Sequence, residues 1–211
     1  MLTFGQSSNG KCSAKFKTGD FTNAKSECIL ASRGGDAICQ AYLGIIYLSE
    51  SDTDNAKIWF EKSANSGNPI GQNGLGYLLQ NGLGGLPEDL QKANALFLKS
   101  AEQGNTDSQF WLGQNLFLSG NKEEGYKWTL KASLTGSRDA QFNLAVMFKN
   151  GEGTKKDESV SIIWFLISAT NGNDKSKEFI DNLKSRISDE QFQNYMKMTE
   201  EFIKQNPQVL N

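Results

Sequence analysis

The chain has 211 residues, with 22 basic against 24 acidic side chains and a formal net charge of −2. That balance argues against a nucleic-acid surface, which needs a basic face, and no stretch approaches the ~18 apolar residues of a membrane-crossing helix. Histidine is absent, which removes the commonest general base, the usual zinc ligand and every Ser-His or Cys-His nucleophile pair.

In chain order, residues 1–11 read as a flexible polar lead-in. MLTFGQSSNG has the character left when an export signal is replaced by a start Met, and it contains no secretory apolar core. Residues 12–36 form a degenerate N-terminal capping unit, with Asp20 as helix cap and Ala24, Cys28 and Ala31 facing inward. Four full helix–turn–helix units follow at about 37–68, 69–105, 106–137 and 138–173.

The fourth unit is the clearest. Ala140, Leu144, Met147 and Phe148 lie on one face of a 3.6-residue helix. Asn150-Gly151-Glu152-Gly153 breaks it, Asp157 caps a second helix with Ile163, Trp164 and Ile167 in one row, and Gly172 stops that helix. The same register marks the other units. A Leu-Gly pair recurs at Leu43-Gly44, Leu75-Gly76 and Leu112-Gly113, with Leu144-Ala145 in the fourth copy. A glutamine stands three residues before each leucine (Gln40, Gln72, Gln109, Gln141), and each unit closes on Gly67, Gly104, Gly136 or Gly172. Two short helices cannot bury their apolar faces alone, so such units must stack. Residues 174–205 supply C-terminal capping helices, the last opened by a Ser188–Gln191 capping box, and 206–211 form a tail interrupted by Pro207.

Three cysteines sit early in the chain. Cys28 and Cys39 read either as small apolar packers or as a disulfide between neighbouring antiparallel helices joined by Arg33-Gly34-Gly35. The second reading implies an oxidising compartment and leaves Cys12 unpaired.

Catalytic signals are weak. Gly82-Leu83-Gly84-Gly85 follows no strand and precedes no Gly-Lys-Ser/Thr, so it reads as an inter-helix turn and not a phosphate cradle. Glu88-Asp89 and Glu123-Glu124 fall at starts of second helices, where negative charge suits the helix dipole. No enzyme activity, metal or cofactor is expected.

The segments AICQAYLGIIY, IGQNGLGYLLQNGLGGLPEDLQKANALFLKSAEQG and AQFNLAVMFKNGEGTKKD resemble the Sel-one-like repeat (SLR), a tetratricopeptide-like family, over roughly residues 18 to 205. The resemblance implies an all-α fold, a right-handed α/α superhelix (solenoid) of helix pairs. It also implies that first helices line a concave face. By the family's stacking, that face would carry Ala41, Ile45 and Leu48; Asn73, Tyr77 and Gln80; Phe110, Gln114 and Phe117; and Phe142, Val146 and Lys149. The aromatics Tyr77, Phe110, Phe117 and Phe142 would form a strip for a protein partner, or else pack together as core. Trp59, Trp111, Trp128 and Trp164 read as core. Small exported members of the family serve as immunity proteins against type VI secretion effectors, lipases among them. The chain is therefore expected to be a periplasmic effector-binding protein, otherwise a cytoplasmic scaffold. An envelope adaptor, or an enzyme acting on peptidoglycan or β-lactam-like substrates, is the alternative.

Overall fold

Every regular element in the computed structural model, which describes residues 8–210, is helical; no strand occurs among the described residues. The chain divides after Asn105 into two compact units. The first holds α1 (Ser8–Lys17), α2 (Phe21–Arg33), α3 (Ala37–Ser49), α4 (Thr53–Asn65), α5 (Pro69–Gln80) and α6 (Leu90–Glu102). The second holds α7 (Thr106–Leu118), α8 (Lys122–Leu134), α9 (Arg138–Asn150), α10 (Glu158–Thr170), α11 (Asp174–Lys184) and α12 (Asp189–Gln205), followed by a 3-10 turn at Pro207–Val209. Within each unit successive helices pair and stack, the arrangement of an α/α solenoid.

Local chemistry explains where the helices begin. Asp20, Asp157 and Ser188 cap α2, α10 and α12, and Ser188 and Gln191 form the reciprocal capping box. Within a pair, the two helices approach through the Leu-Gly marker. A Cβ at Gly44 would lie 2.5 Å from the Phe60 ring, and one at Gly76 would lie 2.8 Å from Phe97. Phe60 and Phe97 are almost fully buried against these glycines.

Adjacent to that contact, a second-helix serine ties each of three pairs together. Ser63 donates to the Ala37 carbonyl at 2.6 Å, Ser100 to Pro69 at 2.7 Å and Ser168 to Arg138 at 2.7 Å. Each acceptor is the first residue of a first helix, so the bond fixes how far one helix slides along the other.

The N-terminal region differs from the sequence reading. Helix α1 begins at Ser8, ahead of the expected boundary at Cys12, while residues 1–7 of the lead-in lie outside the described residues. A short turn returns the chain from α1 to α2, so the two pack as a helix pair. This brings Cys12 and Cys28 to a Cα–Cα distance of 4.7 Å, and they form the disulfide. Of the two readings of Cys28 and Cys39, the bridge between them is therefore ruled out: Cys28 is already engaged, and Cys39 is a buried thiol on α3 outside the disulfide. Phe16 of α1 stacks on Tyr42 of α3 with ring centroids 3.9 Å apart, which seats the first helix on the core of its unit.

The second unit has its own core, centred on Leu144, Ala145, the buried run Ile162–Ile167 of α10, Ile180 and Val209. Trp128 and Trp164 are buried as expected, and Trp164 meets Phe202 of α12 edge-on at 5.3 Å. Trp59 and Trp111 are only half-buried.

Candidate functional site

In the second unit, the first helices of successive pairs, α7, α9 and α11, border three cavities that all share Phe142. The first, about 660 Å³, is lined by Phe142, Val146 and Lys149 of α9 together with Lys175, Glu178 and Phe179 of α11. A second, of about 200 Å³, lies between Gln114 and Phe117 of α7 and Phe142 and Val146 of α9. The third, about 400 Å³, places Phe110 and Gln114 opposite Phe142 and Lys175. The structure thus brings Phe110, Gln114, Phe117, Phe142 and Lys149 to one face of this unit.

The aromatics of the face are half-buried, neither sealed nor fully exposed. Phe142 leans edge-on against buried Phe165 at 5.7 Å, and Phe165 stacks on Phe179 at 3.9 Å. Behind the exposed ring edges, the core holds the rings in fixed positions, so little side-chain entropy remains to be lost on binding. Cations stand over the rings. The Lys149 ammonium is 4.9 Å from the Phe179 centroid, Lys175 is 5.8 Å from Phe142, and Lys122 is 5.3 Å from Phe117. Lys122 also binds Glu152 at 2.7 Å, and that contact, with Asn150, holds the Glu152 carboxyl below the usual carboxylate range.

The remaining candidates, Asn73, Tyr77 and Gln80, lie half-buried on α5 in the first unit. Tyr77 packs against the cluster of Ala56, Phe60 and Leu78 there.

Sequence reasoning missed the α11 side of the face: Lys175, Glu178, Phe179, Asn182 and Arg186, all of which line the cavity of about 660 Å³. The signal was present. Ile180 occupies the place on α11 that Leu144 holds on α9, and the same offsets that pick out Phe142 and Val146 pick out Glu178 and Asn182. Residues 174–205 read as capping helices, and α11 carries no Leu-Gly pair to show its register.

Among the described residues no group of three or more metal-ligating side chains converges, and no helix is long and apolar enough to cross a membrane.

The Sel1 repeat model matches residues 37–68, 69–105, 106–137 and 138–173. The Sel1-repeat-containing protein YjcO of Escherichia coli K12 is 28% identical over 183 residues, covering 80% of this chain and 79% of YjcO. YjcO of Shigella flexneri matches to the same extent. Among solved structures, a Sel1 repeat protein from Oxalobacter formigenes superposes with a TM-score of 0.66 at 22% identity, covering 76% of this chain and 49% of that one. The protein c5321, a protective antigen present in uropathogenic Escherichia coli strains, does so with a TM-score of 0.55 at 22% identity, covering 93% and 53%. The chain thus spans about half the length of these two solved relatives, and the likeness extends to the fold.

Proposed function

The chain belongs to the Sel1 repeat family, whose members are generally protein-interaction modules on a typically non-enzymatic scaffold, and from that premise we propose that it grips a partner protein along the α7–α9–α11 face. One observation carries this reading: Phe142 stands at the junction of three cavities, backed by core rings and flanked by the cations of Lys149 and Lys175. Half-buried aromatic anchors with a charged rim are the usual composition of a binding hot spot.

For the partner we propose a secreted toxic effector of the type VI system, a lipase being one such class, which the protein neutralises in the periplasm. The Cys12–Cys28 disulfide supports that setting, because such bonds persist in oxidising compartments. Periplasmic co-expression with a type VI lipase effector from the same host tests the reading. Wild type should restore growth, and Phe142→Asp, with its helicity intact, should not. Growth restored equally by both would reject the face, and growth restored by neither would reject the immunity role.

A further inference from the structure

The C-terminal tail meets the fourth repeat through a polar contact that the third and fourth repeats assemble between them. Gln141 is fully buried. Its Nε2 donates to the Ser133 carbonyl at 3.0 Å and to the Val209 carbonyl at 2.7 Å, and its Oε1 accepts from Asn171 Nδ2 at 2.9 Å. The same Asn171 Nδ2 donates to the Val209 carbonyl at 2.7 Å. Each amide nitrogen carries two hydrogens. One of each pair is bonded within the third and fourth repeats, and the other points at a single carbonyl oxygen of the tail.

Both halves of this arrangement recur in the first unit, without the tail. Gln103 Nε2 donates to Gln72 Oε1 at 2.9 Å, as Asn171 does to Gln141. Gln40 Nε2 donates to the Ser32 carbonyl at 3.4 Å, as Gln141 does to Ser133. The amide pair is therefore a product of repeat packing and does not need the tail to form. The tail, for its part, is anchored through one residue. Val209 is fully buried, but Pro207 and Gln208 are exposed and Leu210 is 37% exposed.

We propose that the cleft formed by Ser133, Gln141 and Asn171 is a peptide-binding site that the chain's own tail fills and that a short segment of the same chemistry enters in its place. The ligand class follows from the donors: a small apolar side chain whose backbone carbonyl accepts two amide hydrogens. Val209 supplies this in cis, at the high effective concentration of a tethered segment, so a free peptide competes poorly until the tail is released. This site is independent of the α7–α9–α11 face.

The test uses the full chain carrying Val209→Asp, because a buried carboxylate at that position expels the tail. The probe is the acetylated synthetic peptide of residues 206–211, NPQVLN. It should bind the variant at least about tenfold more tightly than it binds wild type, and the same peptide with Asp in place of Val should not bind. A helical Val209→Asp protein that ignores the peptide, or that binds both peptides alike, overturns the proposal. Should the substitution unfold the chain, hydrogen exchange on wild type decides. Amides of Gln208, Val209 and Leu210 exchanging ahead of α9 and α10 support a replaceable tail, and exchange in step with those helices overturns it.

Discussion

Ser100 donates its hydroxyl to the carbonyl of Pro69 at 2.7 Å, joining the second helix of a pair to the first residue of the first helix. Ser100 is fully buried, and the same bond recurs from Ser63 and Ser168. Replacing Ser100 with Ala leaves a half-buried carbonyl without this donor, a cost of about 0.5–1.5 kcal/mol. Urea unfolding should show that loss for Ser100→Ala and Ser168→Ala alike, whereas Ser66→Ala, which removes an exposed bond to the Lys62 carbonyl, should stay within about 0.5 kcal/mol of wild type.

Gly44 tests the marker that revealed the repeats. A methyl there meets the Phe60 ring at 2.5 Å, so Gly44→Ala should destabilise the first unit by about 1–3 kcal/mol through overpacking. Pairing it with Phe60→Leu should cost less than the two single changes added together, since the clash is with that ring. Simple additivity in the double-mutant cycle would show that the glycine is needed for some other reason.

The cysteines yield a chemical prediction. Burial, reinforced by the neighbouring Asp36, pushes the Cys39 thiol up to about 12, so it stays protonated and unreactive at pH 8. Native protein should resist a thiol-alkylating reagent, and urea without reductant should expose one reactive thiol per chain, at Cys39. Peptide mapping should recover Cys12 linked to Cys28. Reducing that bond, which spans 16 residues, should cost about 3 kcal/mol.

Caps such as Asp157 and Ser188 are legible because the capping side chain bonds a backbone group within three residues. The Leu-Gly register is legible because every repeat faces the same packing problem. Helix α1 is not. Its sequence SNGKCSAKFK offers little beyond Cys12 and Phe16 to bury, and it is held by a covalent bond and a ring stack that depend on distant partners. Phe110, Gln114, Phe117, Phe142 and Lys149 could be placed by counting from the marker, whereas Lys175 and Phe179 required knowing that α11 continues the row. Val209, a lone apolar residue after a proline, gave no sign of being buried.

A pH dependence follows from Glu152. Its hydrogen bond from Lys122, then that from Asn150, lowers its carboxyl below the usual value. A group with a lowered folded-state value contributes stability that is fully present above the unfolded carboxylate range and lost as pH falls through the folded value. The melting temperature should therefore fall between about pH 5 and pH 3. Lys122→Gln should flatten part of that slope by lowering the neutral-pH melting temperature slightly, the small effect expected for an exposed pair. An identical acid limb in the variant would remove Lys122 as its cause.

Among the face residues, Phe142 should dominate affinity. Phe142→Asp should weaken partner binding about thirtyfold or more, in the range of a hot-spot loss, while Lys177→Gln, which breaks an exposed ion pair with Asp174, should leave it unchanged.

The most direct test of the proposed recognition face is hydrogen exchange on the purified complex of the full chain with its captured partner. Binding should slow exchange in α7, α9 and α11 around Phe110, Phe142 and Phe179, and leave α8 and α10 at their unbound rates. Protection confined to α8 and α10, with α7, α9 and α11 unaffected, would contradict it.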